Sequence, residues 1–310
     1  MQCLVTGASG FIGAWLTREL ARDGHAVVAQ MRGKPSRHFT RLGLLNHDNV
    51  RVVANSDIAE VVRHENPEEL FHLAGMSQIV EAMQEPERVF QANAQQTWHL
   101  LETLKAMPTA PRCVVASTDS IYGEAKGQAS VEDDPVNAFG PYEVSKAMAD
   151  MVARSYAQIS DMPVTVARLG NTYGAGDENS ARLVPSIIDA IQKGEAPHLR
   201  GGGKAVRSLL HVRDCVSALR ILAANAGKDG VRGEAFNVSG TPAMTILEIT
   251  TIALAAFGKA DLKPTISKAA PGETSVKYSR SDKLKKALGW SPKVQLRDGL
   301  EEMATELGMV

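Results

Sequence analysis

Residues Thr6–Gly13 read TGASGFIG, and they follow the apolar run QCLVT (2–6) without a spacer. Gly7, Gly10 and Gly13 close a strand and open an amphipathic stretch, FIGAWLTRELARDG (11–24). A tight turn, a close approach by a phosphate and close helix–sheet contact each favour a missing side chain at these three positions, and a helix N-terminus offers free N–H groups to a pyrophosphate. Gly7, Gly10, Phe11, Ile12 and Gly13 are therefore candidate dinucleotide-binding residues. A plain glycine turn is the competing reading; the place of the triple after the first strand of a βαβ pattern favours the dinucleotide. Gly24 is placed to end the first helix, since a left-handed cap suits glycine.

Outward from this loop, short apolar runs alternate with amphipathic ones. AVVAQ, VRVVA, LFHLA, RCVVAS and VTVARLG read as further buried strands, with ERVFQANAQQTWHLLETLKA among the helices between them. The alternation predicts an α/β fold, a Rossmann-type doubly wound parallel sheet. The pattern loosens after about residue 172, which predicts a dinucleotide-binding domain over 1–172 and a smaller mixed α/β C-terminal substrate lobe over 173–310, with segments at about 210–240 returning to the first domain. Ligands of such sheets bind at the carboxyl ends of the strands. The second strand ends VVAQMRGKPSR, without the acidic residue that meets a ribose 2′-OH; Arg32, with Lys34 and Arg37 beyond it, favours NADP over NAD. A solvated basic turn is the alternative there.

Composition narrows the function classes. Net charge is −1 across 310 residues, so no broad field invites nucleic acid or an anionic membrane. No run of 18 apolar residues predicts a membrane span, and MQCLVTG does not read as a signal peptide. Cys3, Cys113 and Cys215 lie far apart in apolar patterns, as buried inert thiols suited to a reducing cytoplasm. The eight histidines show no metal-ligand spacing, and no metal is expected; His72 and His211 read as packed, hydrogen-bonded residues.

PYEVSKAMAD places Tyr142 and Lys146 four residues apart, on one helix face. An ammonium beside a phenol stabilises the phenolate and lowers a pKa that is ~10 when unperturbed, which fits the phenol for proton exchange with an alcohol near neutral pH. Alone, such a pair usually marks a surface helix. It gains weight from Thr118, 24 residues upstream in ASTDSIYG (116–123), at the end of another strand.

With TGASGFIG, FHLAG, NAQQTWHLLETLK, STDSIYG, PYEVSKAMAD, RLGNTYGAG, RSLLHVRD and LGWSPKVQLRDGLEE in this order, the chain resembles an extended short-chain dehydrogenase/reductase of the nucleotide-sugar epimerase/dehydratase group, from the glycine loop nearly to the C-terminus. Its length and basic second-strand end are similar to GDP-4-keto-6-deoxymannose reductases and GDP-mannose dehydratases. The resemblance implies a nucleotide-diphosphate sugar as substrate. Leu73, Ala74 and Gly75 would line the cofactor, Thr118 would hydrogen-bond the reacting sugar oxygen, and Tyr142 would be the acid/base. Lys146 would bind the nicotinamide ribose and tune the tyrosine, while Ser120, Asn171 and Arg207 would meet the sugar nucleotide. It also implies a homodimer built on helices 86–106 and 140–160, where Val89, Leu100, Met148 and Val152 face either core or partner.

The same resemblance frames the reaction as 4-keto-6-deoxy sugar reduction or 4-epimerisation, with 4,6-dehydration as the alternative. Dehydration needs a further acid and base; Asp119 supplies the letter for one, whereas Ser120 stands where a glutamate is common and is a poor proton acceptor without a partner base. Asp119 also suits a turn-capping role. Asp57-Ile58 offers the letters of an adenine contact yet falls where the next helix begins. Ala270 stands where the group often carries a phosphate-binding arginine, with Lys268 and Lys277 nearby. A rival of another class is a non-catalytic dinucleotide-binding sensor or scaffold; its mark would be a broken Tyr/Lys pair, and both residues are present.

Overall fold

The computed structural model describes residues 1–124, 128–240, 242–268 and 276–309. In the first half, strands β1 (Gln2–Thr6), β2 (Ala26–Met31), β3 (Val50–Ala54), β4 (Glu69–His72), β5 (Arg112–Thr118) and β6 (Val164–Leu169) alternate with helices α1 (Phe11–Arg22), α2 (Arg37–Arg41), α3 (Ile58–Glu65), α4 (Ile79–Gln84), α5 (Pro86–Phe90), α6 (Gln96–Lys105) and α7 (Pro141–Ile159). Beyond them lie strands β7 (Asn171–Tyr173), β8 (His198–Leu199), β9 (Val206–His211), β10 (Ala235–Val238), β11 (Ala243–Thr245), β12 (Thr265–Ile266) and β13 (Val276–Lys277). Helices α8 (Leu183–Gln192), α9 (Val212–Asn225), α10 (Ile246–Ala256), α11 (Asp282–Leu288) and α12 (Leu296–Glu306) accompany them.

Seven parallel strands form the central sheet in the order β10-β6-β5-β4-β1-β2-β3. The strand sequences explain why it is covered on both faces. Cys3 and Val5 of β1, and Val114 and Ala116 of β5, pack into one core with α1 and α9; Leu4, Cys113 and Val115 point the other way, into a second core with α3, α6 and α7. Near-continuous apolar strands of this kind are what a sheet buried on two sides requires. The switch in strand order falls between β1 and β4, so their carboxyl ends diverge and leave a crevice.

β10 joins the central sheet beside β6, from within the stretch 210–240. A smaller sheet, with β9 between β11 and β13 and with β7 also paired to β9, stands over the carboxyl ends of the first. α10 is held by a capping box, in which Thr245 and Glu248 satisfy each other's backbone N–H groups. Among the described residues no helix is long and apolar enough to cross a membrane, and no group of three or more metal-ligating side chains occurs.

Candidate active site

One crevice of about 1220 Å³ runs along the strand ends, and every cofactor, catalytic and substrate candidate named from the sequence lines it, from the glycine loop through Tyr142 and Lys146 to Asn171 and Arg207. Its floor is main chain. Gly7 has a left-handed backbone (φ 67°), and a Cβ there would meet the Ala74 N and Cα at 2.9 Å; a Cβ on Gly13 would lie 2.3 Å from the Gly7 carbonyl oxygen. The absent side chains let α1 begin in contact with the crevice, and this cradle fits a dinucleotide pyrophosphate.

Beyond the loop, Ser36 N donates to Ser9 Oγ at 2.8 Å, folding the chain after β2 back onto it. Arg32 is exposed and reaches the crevice. Asp57 instead caps α3, its Oδ1 accepting from Ala59 N (2.9 Å) and Glu60 N (3.1 Å). Its carboxylate therefore serves the helix start, while its neighbours Ser56 and Ile58 line the crevice.

Thr118 ends β5 and caps the short 3₁₀ turn Asp119–Tyr122. Its Oγ1 accepts from Ser120 N at 3.2 Å, and its hydroxyl stands near enough to the Tyr142 phenol to favour the phenolate. Tyr142 and Lys146 stand one turn apart on α7, whose start is set by Gly140 at the cap and Pro141 in the first turn. The Lys146 Nζ donates to the Ala116 carbonyl at 2.9 Å, and burial brings the ammonium down to about 8.

Burial pushes the Tyr142 phenol above its ordinary value; the Thr118 hydroxyl and then the positive field of Arg182 oppose that rise. The ammonium is committed to β5 through Ala116. Arg182, at the cap of α8, contacts both Asp177 oxygens at 3.2 Å and reaches across the crevice toward Ser77 Oγ at 3.5 Å.

Asp119 does not cap a turn with its side chain. It is buried, and its Oδ2 accepts from Ser279 Oγ at 3.2 Å. Burial raises the carboxyl to about 6, with Lys277, Ser279 and Arg207 holding it back. Lys277 pairs in register with Arg207 across β13 and β9, so the two cations stand side by side, with Glu143 3.9 Å from the Lys277 ammonium. Lys277 lines the crevice, whereas the position of Ala270 lies outside the described residues.

Asn93 was not singled out from the sequence, although NAQQTWHLLETLK contains it. It sits in a widened π turn, Gln91–Gln95, between α5 and α6. Its Oδ1 accepts from Met76 N (2.8 Å), and its Nδ2 donates to Met76 O (3.0 Å) and Ser145 Oγ (2.9 Å), which in turn donates to Tyr142 O (2.8 Å). A Cβ on Gly75 would fall 2.5 Å from Asn93 Oδ1, so the backbone there must be bare.

Elsewhere, Cys3, Cys113 and Cys215 are buried, each thiol pushed up to about 12 chiefly by burial. His211 caps α9 through Arg213 N. Val89 and Leu100 are wholly buried within this chain, whereas Met148 is 45% exposed.

The family model described as NAD dependent epimerase/dehydratase matches residues 3–239. The Low-salt glycan biosynthesis protein Agl12 of Haloferax volcanii is 30% identical over 307 residues, spanning 97% of this chain and 96% of that protein. UDP-glucose 4-epimerase of Mycolicibacterium smegmatis is 26% identical over 306 residues, with 97% and 96% covered. The crystal structure of a DesIV double mutant, a dTDP-glucose 4,6-dehydratase from Streptomyces venezuelae with NAD and DAU bound, matches with a TM-score of 0.87 at 25% identity, over 98% of this chain and 96% of that one. Sheet order, crevice and sequence agree, and the chain belongs to the NAD dependent epimerase/dehydratase family of enzymes.

Proposed function

We propose that the protein carries out NAD(P)-dependent redox chemistry at C4 of a nucleotide-linked hexose, as a 4-keto-6-deoxy sugar reductase or a 4-epimerase. The observation that carries this reading is that Thr118, Tyr142 and Lys146, one turn on from Tyr142, line the crevice that the glycine loop opens. Gly7, Gly10 and Gly13 would hold the pyrophosphate of the dinucleotide, with Leu73, Ala74 and Gly75 along its far side. Bound cofactor supplies the two-electron step. Tyr142 takes or returns the proton of the C4 hydroxyl, and Thr118 holds that oxygen in line. Lys146, fixed by Ala116, presents its ammonium beside Gly75 to the cofactor ribose. Asn171, Arg207 and Ser120 would meet the sugar nucleotide, Arg207 by the planar fork that suits a phosphate. Arg32 at the end of β2 supports NADP over NAD.

A second reading, 4,6-dehydration, has one observation in its favour. Asp119, raised to about 6, retains a proton at weakly acidic pH and so could act as an acid at the reacting end. Ser120 still offers no base there. Release of bound cofactor followed by mass spectrometry separates the possibilities. Tightly held NAD(P)+ supports an epimerase or dehydratase, and an empty site that oxidises added NADPH supports a reductase. Incubation with GDP-mannose, CDP-glucose, dTDP-glucose and UDP-glucose then identifies the product; a 4-keto-6-deoxy sugar would overturn the preferred order. Pairing into a homodimer through α5–α6 and α7 is part of this reading. Exposed Trp98, Met148 and Met151 support it, and light scattering tests it.

A further inference from the structure

His72, at the end of β4, joins two neutral hydrogen-bonded arms. Its Nδ1 lies 2.9 Å from Thr6 Oγ1, and its Nε2 lies 3.1 Å from Thr97 Oγ1. The directions follow from proton counting. Thr97 has one hydroxyl proton, and the Asn93 carbonyl at 2.6 Å can only accept it. Thr97 Oγ1 must therefore accept from His72, which places the ring proton on Nε2. With the ring neutral, as its burial dictates, Nδ1 is bare and accepts the Thr6 hydroxyl proton. Thr6 Oγ1 remains free to accept from Ala74 N at 3.1 Å.

The two arms lead to different parts of the crevice. Thr6 immediately precedes Gly7, and Ala74 is the residue whose backbone Gly7 packs against. Thr97 bonds the carbonyl of Asn93, whose side chain grips Met76 and, through Ser145, the Tyr142 carbonyl. We infer that His72, as the neutral Nε2–H form, is a positioning residue that sets the glycine loop and residues 73–75 through Thr6, and the first turn of α7 through Thr97 and Asn93. It touches neither substrate nor cofactor. The inference rests on the cofactor reading above.

Half-replacements test it. In His72→Asn the side-chain amide reaches only the Thr6 arm, and in His72→Gln only the Thr97 arm; His72→Phe keeps the ring and loses both, and Thr97→Val cuts the far arm alone. Apoprotein is titrated with NAD and with NADP, hydrogen exchange is followed over 91–97 and 141–146, and each variant is melted. His72→Gln and His72→Phe should weaken dinucleotide binding by about tenfold or more, the scale of one buried polar group left unpaired. His72→Asn and Thr97→Val should bind nearly as the parent does but exchange faster over 91–97 and 141–146. The crossed pattern is what a merely structural histidine would not give. Equal loss of melting temperature in all four, with binding and local exchange moving together or not at all, overturns the inference. Should His72→Phe fail to fold, the Asn, Gln and Val variants still decide. Parent protein that binds neither dinucleotide overturns the cofactor reading itself, a separate outcome.

Discussion

Along Thr6–Gly13 and residues 72–76, the crevice wall is joined by neutral groups: bare main chain, threonine hydroxyls, an uncharged imidazole and an amide. Across from it, Asp119, Asp177, Arg182, Arg207 and Lys277 bring acids and cations from the turn after β5, the chain before α8, β9 and β13 to the other wall, with Glu143 of α7 beside Lys277. The first wall is a seat that needs the right shape, held by neutral hydrogen bonds between the ends of β1 and β4 and the turn at Asn93. The second sets proton positions by fields between charged groups. Fixing shape and fixing charge are thus divided between the walls, and Tyr142 stands where they meet, its carbonyl held by the neutral network and its phenol under the field of Arg182 and Asp119.

The largest expected break is Tyr142→Phe. Losing the proposed acid/base group should cut turnover by roughly 10²–10⁴-fold while dinucleotide affinity of the apoprotein stays near the parent value, because the phenol lies at the junction and not in the seat. Steady-state rates beside a binding titration measure both. Next comes Gly13→Ala. A methyl 2.3 Å from the Gly7 carbonyl forces the loop to shift, so stability should fall by about 1–3 kcal/mol and dinucleotide binding with it. Denaturant melts with and without NAD would show it; unaffected binding would mean that the seat tolerates what its geometry forbids. Arg32→Ala should shift the NADP-to-NAD preference toward NAD by about tenfold, the worth of one charge-assisted hydrogen bond.

The charged wall predicts smaller, pH-dependent effects. Asp119 is raised, so the stability linked to its proton is present below 3.8 and is lost as pH rises through about 6. Asp119→Asn should therefore gain melting temperature relative to the parent between pH 4 and pH 7. The histidines of the other side run in the opposite sense. His38 and His72 are held down to about 4 and about 3 by burial, so their contribution is full above 6.5 and is lost as pH falls through those values. Lys277→Met should move the Asp119 titration to higher pH, since the cation that most opposes its rise is gone. An unmoved titration would detach the second sheet from the acid/base chemistry.

What the sequence disclosed follows the same division. The glycine spacing, the strand–helix alternation and the Tyr142–Lys146 interval are local patterns, and each follows from sterics or helix geometry within a few residues. The partition of alternate β1 residues between two cores could be anticipated for the same reason. Lys277 and Ser279 could not be placed, because nothing near them in the chain signals that β13 pairs beside Arg207 and delivers them to Asp119, 160 residues away for Ser279. The surroundings of Tyr142 are of this kind. Spacing puts Lys146 on the right face, but only the fold reveals that the Ala116 carbonyl accepts from its ammonium and that Thr118 and Arg182 oppose the rise of the phenol.

Placing deuterium at C4 of the nucleotide-linked hexose that the substrate panel identifies, or at the transferable position of the reduced cofactor for a 4-keto sugar, tests the C4 chemistry most directly. The account predicts slower turnover with the label and recovery of deuterium in sugar or cofactor, not in water. Loss of the C4 label to water, or no movement of label from cofactor to C4 of the keto sugar, would contradict it.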